Sequence, residues 1–153
     1  MSYCMCSAIG RRQNRVFDLT DSKGAHIDQR LRHEPIIWLS SVRPDGRPHL
    51  VPVWFVWDGA AILIFSKPAA QKVRNLRYNP QVMLALDSAD EGEDVVLLEG
   101  RAELLGDGAP QSTLPEYAEK YAALMARIGM AADWHAAEYN QAIRVTVERL
   151  VRF

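Results

Sequence analysis

A mainly β fold with flanking helices is predicted by three features of the chain. Three apolar, strand-like runs follow one another between residues 36 and 65, separated by turn-forming residues. They lead directly into an amphipathic helix that stops at Asn79-Pro80. Near the far end, Ile143, Val145 and Val147 alternate with Arg144, Thr146 and Glu148, which is the period of a half-exposed strand.

Residues 1–24 are a polar lead-in that includes Gly24, expected to form a loose N-terminal segment; residues 25–153 then make a single domain with a helical insertion around 112–139. Residues 25–33 predict a short helix with Ile27 and Leu31 one turn apart, stopped near Pro35. The run 36–42 is apolar and partly β-branched, and it ends at Arg43-Pro44-Asp45-Gly46, where proline presets φ and glycine allows a positive φ. Residues 49–57 read as a second strand with Val51, Val53, Phe55 and Trp57 on one face, broken at Asp58-Gly59, a dipeptide that tight hairpins prefer. Pro52 has no N–H to give to a ladder, so this strand is either an edge or bulged there. An edge proline guards against aggregation, whereas a bulge frees backbone groups for a ligand. Residues 61–65 complete a meander.

Over residues 69–78 the period becomes helical, with Val73 and Leu76 spaced for burial and Gln71, Lys72, Arg74, Asn75 and Arg77 on more polar faces. Ser66 or Lys67 precedes this helix and Pro68 suits its first turn. A helix start has unpaired N–H groups and a partial positive charge, so with the Ser66 hydroxyl and the Lys67 and Lys72 ammonium groups nearby it suits a phosphate. An ordinary cap with solvated lysines would have the same sequence. Further on, residues 81–86 predict a strand, 87–94 an acidic loop, 95–105 a long strand and 106–110 a turn. Residues 114–127 predict a helix whose stripe Tyr117, Tyr121, Leu124 and Ile128 is the pattern of a core-facing side rather than of a cofactor site. Gly129 interrupts, residues 131–139 form a second helical piece, and residues 143–150 are the closing strand.

Composition narrows the class of function. A chain of 153 residues, 48% hydrophobic and 24% charged, is a globular domain able to bury a core. A net charge of −1 argues against nucleic-acid or anionic-membrane partners. No apolar run is long enough to span a bilayer and the N-terminus lacks a signal-peptide layout, so a cytoplasmic location is expected. Cys4 and Cys6, the only cysteines, stand one residue apart, too close for an easy disulfide, and His26, His33, His49 and His135 show no metal spacing around them. No nucleophile elbow, Walker loop or dinucleotide glycine motif is present, and Glu91, Glu93 and Asp94 read as a solvated acidic loop.

Several of these segments together carry a resemblance. Val42-Arg43-Pro44-Asp45-Gly46-Arg47-Pro48-His49, then Val51-Pro52-Val53-Trp54-Phe55, then Phe65-Ser66 with Lys72-Val73-Arg74-Asn75-Leu76 and Asn79-Pro80, resemble the pyridoxamine 5'-phosphate oxidase-like split-barrel family. They are most similar to the branch that uses the deazaflavin coenzyme F-420. The likeness extends less tightly to residues 95–105, around Leu98-Glu99-Gly100-Arg101-Ala102, and to residues 143–153.

The resemblance implies a split β-barrel, Greek-key-like, that holds F-420 or FMN. It places the cofactor phosphate near Ser66, Lys67 and Lys72 and the ring beside Val51, Pro52, Val53 and Trp54. Asn75 joins this site, or else caps or hydrogen-bonds within the fold. It implies a homodimer with two cofactor sites at the subunit interface. Arg43, Arg47, Lys67, Arg74 and Arg77 either form a track for the anionic tail of F-420 or are separately solvated. True pyridoxamine phosphate oxidases end in a signature with Arg and His, whereas residues 144–153 contain no His, so vitamin B6 oxidation is not implied. The implied activity is hydride transfer between the bound ring and a small conjugated organic substrate. No catalytic side chain is singled out, because a hydride carrier supplies the reactive atom itself. The alternative is a non-catalytic storage or sensing module for flavin, F-420 or haem, with His49 or His33 as the haem residue.

Overall fold

The computed structural model describes residues 16–106 and 115–151. Cys4, Cys6 and most of the expected turn at residues 106–110 lie outside the described residues, as do residues 152–153. Strands β1 (Ile37–Val42), β2 (Pro48–Val53), β3 (Val56–Trp57), β4 (Ala61–Ser66), β5 (Gln81–Leu86), β6 (Leu97–Leu104) and β7 (Gln141–Leu150) pair antiparallel in the order β2-β1-β5-β6-β7-β4-β3. Helices α1 (Ser22–His33), α2 (Gln71–Tyr78), α3 (Pro115–Arg127) and α4 (Ala132–Glu138) flank this sheet. The two ends of the strand order, β2 and β3, are joined by Trp54 and Phe55 alone, so the sheet curls back on itself as a half-barrel.

The expected single strand over residues 49–57 is thus two strands on opposite edges. The alternation nevertheless runs through the crossing: Val53, Phe55 and Trp57 are buried and Val51 packs partly against the same core. Burial alone sets that pattern, and it does not say which neighbour each half pairs with. Pro52 sits on edge strand β2 opposite Trp38, in a register unbroken from Pro48 to Val53, so the edge reading holds and the bulge reading does not. The sheet's irregularity falls instead at Glu99/Gly100. A Cβ on Gly100 would come within 2.7 Å of Val145 Cγ1 and 2.8 Å of Thr146 O, so only glycine lets β7 lie this close.

Local chemistry accounts for the turns. Gly46 has φ 88° and its N–H donates to Arg43 O at 2.8 Å. At the second hairpin Gly59 has φ 93°, and the Asp58 carboxylate accepts from the N–H groups of Ala60 and Ala61 at 2.8 and 2.7 Å. Helix α1 begins earlier than Ala25: Asp21 caps it by accepting from Gly24 N–H at 3.3 Å. Gly24 therefore belongs to the helix, and Phe17, 5% exposed, packs on Trp57, so residues 16–24 are anchored rather than loose. Nor is the acidic loop wholly solvated. Buried Arg30 donates to the carbonyls of Asp87 and Asp94 at 2.6 and 2.8 Å and pairs with the Asp94 carboxylate at 3.0 Å.

Two apolar clusters result. The larger fills the half-barrel, with Leu31, Leu39, Phe55, Ile64, Val73 and Val145 among its buried members. The smaller lies under α3, where Tyr117, Tyr121 and Met125 recur every four residues and are buried. Leu124 is only partly buried and Ile128 is 52% exposed, so the expected stripe is rotated toward Met125.

Candidate functional site

A cavity of about 310 Å³ opens where the β2 edge, α2 and the α3–α4 region meet. Pro52, Val53 and Trp54 form one wall, and Lys72, from the first turn of α2, stands on another. The opposite side comes from Tyr117, Met130, His135 and Tyr139, with Phe65 of β4 between. This volume lies at the lower end of the range for small-molecule pockets.

Lys72 is half-buried, and burial lowers its pKa from the ordinary lysine value. Among the described residues it has no hydrogen-bond or ion-pair partner. It stands near His49, whose pKa is lowered by burial first and then by the charges of Arg43 and Lys72. His49 Nδ1 is buried with no hydrogen-bond partner among the described residues. Arg43 and Lys72, with no balancing carboxylate among the described residues, make a local positive field around His49; of these three, Lys72 alone lines the cavity.

The other sequence-predicted site residues are dispersed. Ser66 is fully buried at the end of β4 and its hydroxyl donates to Lys67 O at 3.1 Å. Residues 67–70 form a turn before the helix, so α2 is capped by Ala70 without any side-chain bond; neither Ser66 nor Lys67 is its cap, and Pro68 precedes its first turn. Lys67 turns toward α4, 3.5 Å from the Glu138 carboxylate and over the rings of Tyr139 and Trp134. Asn75 is buried and bonded within the fold, its amide donating to Ser41 Oγ at 2.9 Å and accepting from Gln71 at 2.8 Å. Val51 packs against the main core and does not line the cavity. Of the arginines considered, Arg47 is paired with Asp45, Arg74 bonds Gln71 on the surface and Arg77 is exposed on α2, while Arg43 lies near the cluster. His33 lies at the end of α1 with Nδ1 2.8 Å from Gln29 O, away from the cavity lining.

Periodicity alone does not mark the α3–α4 wall as part of a site, whereas the structure brings Tyr139 to the cavity. Trp54 stacks on Tyr121 (centroids 4.7 Å, planes 4° apart) and on His135 (5.1 Å, 18°), and His135 stacks on Tyr139 (4.4 Å, 5°). His135 and Tyr139 are four residues apart, so they share one side of the helix and its end, which is the only local sign of this arrangement. Burial lowers the His135 pKa and raises that of Tyr117 well above the ordinary phenol value. Among the described residues no carboxylate lines the cavity, so those residues can bind, orient and exclude water rather than act as a carboxylate acid–base pair. Among the described residues no group of His, Cys, Asp or Glu could hold a metal.

The residues present fit a phosphorylated planar cofactor. Lys72 calls for an anion, and the apolar and aromatic walls call for a ring. The model of the pyridoxamine 5'-phosphate oxidase family matches residues 24–151. Among solved structures, an F-420 reductase is similar at 26% identity, covering 81% of this chain and 93% of that one, with a TM-score of 0.55. A conserved hypothetical protein from Mycobacterium tuberculosis is similar at 26% identity over 82% of this chain and 81% of that one, TM-score 0.56. The haem-storage protein HutZ from Vibrio cholerae shares the fold, at 17% identity over 82% and 89% of the two chains, TM-score 0.58. With the match running from within α1 to the residue after β7, the chain belongs to the pyridoxamine 5'-phosphate oxidase family.

Proposed function

We propose that this protein is an oxidoreductase that binds F-420 or FMN in the Lys72 cavity and exchanges a hydride with a small conjugated organic substrate. The observation that carries the reading is Lys72: a half-buried ammonium, unpaired among the described residues, on the wall of a cavity whose other walls are apolar and aromatic. The 26% identity to an F-420 reductase favours the deazaflavin over FMN.

When bound, the flavin or deazaflavin ring supplies or accepts the hydride. The protein's part is placement. Lys72 and Arg43 hold the phosphate by charge. β2 is a sheet edge, so the backbone groups that turn away from β1 can meet the ring alongside Pro52, Val53 and Trp54. Tyr117, Met130 and Tyr139 keep water from the reacting faces. Lys67, tied to Glu138 beside Tyr139, stands at the α4 side. A second copy completes the site in this reading: the outer side of β2, β1 and β5 exposes Leu50 (60%), Val42 (36%) and Met83 (36%), an apolar surface suited to a homodimer.

Fluorescence titration of the purified protein with F-420 and, in parallel, with FMN tests the proposal. Saturable binding of either supports it and names the cofactor, after which quinones and unsaturated ketones are the acceptors to screen. Binding of neither overturns it.

A further inference from the structure

The β1–β2 hairpin sets His49 directly opposite Ser41. Ser41 accepts a hydrogen bond from Asn75 of α2 at 2.9 Å, which docks α2 on this end of the hairpin. Lys72 lies three residues before Asn75, so it faces the same way, toward His49. Arg43 follows β1 by one residue and completes the cluster. Three nitrogen bases from separate elements thus come together, one of them an imidazole nitrogen with no partner among the described residues, beside a cavity that Lys72 lines and Arg43 and His49 do not.

The acidic groups around this cluster do not balance it. β1, β2 and α2 contain no Asp or Glu, and the hairpin's single carboxylate, Asp45, is exposed and held by Arg47 at 2.7 Å. The charges acting on His49 are those of Arg43 and Lys72, both positive. In the free protein a proton on His49 therefore gains no partner and meets two like charges.

Resting on the functional reading above, we infer that His49 is the third donor of the phosphate site, and that it takes up a proton as the phosphate seats. A bound phosphate supplies the acceptor that the imidazole lacks and neutralises Arg43 and Lys72. Both changes favour the imidazolium. The free-state pKa lies below the ordinary histidine value, for burial and the two cations lower it. The bound-state pKa lies higher, so binding draws in a proton between the two values. Affinity is greatest at low pH and falls as pH rises through the bound-state value. An upward shift of one unit corresponds to about a tenfold change in affinity across that window.

The monoester phosphate of FMN titrates near neutrality, with a second pKa of about 6, whereas the diester phosphate of F-420 does not, so the comparison must be between proteins rather than between pH values alone. FMN, F-420 and riboflavin, which lacks the phosphate, are titrated at several pH values into the native protein, His49→Gln and Lys72→Ala. The imidazole resonances are followed by NMR, with His49→Gln assigning the His49 signal. The expected result is a His49 signal that titrates to higher pH with the phosphorylated cofactor and not with riboflavin. Phosphorylated-cofactor affinity should also lose several-fold more between low and high pH in the native protein than in His49→Gln. A His49 signal unmoved by cofactor, or superimposable pH profiles for the two proteins, overturns the inference while Lys72→Ala still weakens binding. Loss of all phosphate-dependent binding, with Lys72→Ala no different from native, overturns the functional reading and this inference with it.

Discussion

Lys72 and Asn75 lie one turn apart on α2, and their environments assign them opposite tasks. Lys72 has no partner among the described residues and its charge is disfavoured by burial, so folding gains nothing from it near neutral pH. The sign follows from linkage: a lysine whose folded pKa is depressed burdens the fold below that pKa, and the burden fades as pH rises past it. Lys72→Ala should leave the melting temperature unchanged or raise it. It should weaken F-420 or FMN binding about ten- to a hundredfold, the value of one charge-assisted hydrogen bond. Asn75→Ala strands buried Ser41 Oγ and the Gln71 amide, so it should cost about 1–3 kcal/mol of stability. Thermal melts run beside the cofactor titrations separate the two. A destabilised Lys72→Ala with native affinity would contradict the assignment of the phosphate to it.

The crossing from β2 to β3 is the weak point of the half-barrel, because Trp54 and Phe55 belong to neither ladder. Helix α3 closes it. The Tyr121 hydroxyl accepts from Phe55 N–H at 2.8 Å, and its own proton faces Phe55 O and Pro35 O, each 2.8 Å away. Lys120 donates to Phe55 O at 3.1 Å with its ammonium 3.8 Å from the centre of the Phe55 ring. Tyr121→Phe keeps the ring that stacks on Trp54 but removes the hydroxyl, and the unsatisfied Phe55 peptide should cost about 1–3 kcal/mol in urea unfolding. An unchanged midpoint would show that α3 does not hold the crossing. Burial pushes the Lys120 pKa down from 10.5 to about 8. The unfolded chain then keeps this proton to higher pH than the folded one, so stability should rise from about pH 8 toward 10. Lys120→Met should flatten that slope in melts taken across the window. The high pKa values of Tyr117 and Tyr121 act in the opposite direction only above the ordinary phenol value.

The homodimer proposed above would be built on the outer side of the sheet. Trp38 faces Pro52 across the β1–β2 pair and Ala85 across the β1–β5 pair, while Ser40 stands between Leu50 and Met83. Small and apolar side chains there leave Leu50 60% exposed, an arrangement that a water-facing sheet would ordinarily fill with charge. Leu50→Asp should shift the protein to a smaller species in sedimentation velocity and weaken cofactor binding without lowering the melting temperature of the subunit. An unaltered sedimentation coefficient with native affinity would contradict the proposed dimer contact on this surface.

Much of the fold was legible because its signals are local. Apolar runs mark β1 and β4 and alternation marks β7; Gly46, Gly59 and Asp58 mark the hairpins; and the helical period marks α2 and α3. The resemblance implies one site for Val51, Pro52, Val53, Trp54, Ser66, Lys67, Lys72 and Asn75, of which Pro52, Val53, Trp54 and Lys72 line the cavity. Pairing over long separations leaves no periodic mark, so the break at Trp54-Phe55 and the meeting of residues 61–66 with residues 141–146 were not readable. For the same reason His135 and Tyr139 read as one more helical piece until the closed sheet brought them against Trp54. Period and turn chemistry act over a few residues, so the order of residues alone marks most of the apolar faces and the places where the chain turns. Which edges meet, which polar groups such as Asn75 and Ser66 are buried with partners, and which positive charges are left for a ligand depend on residues brought together by folding.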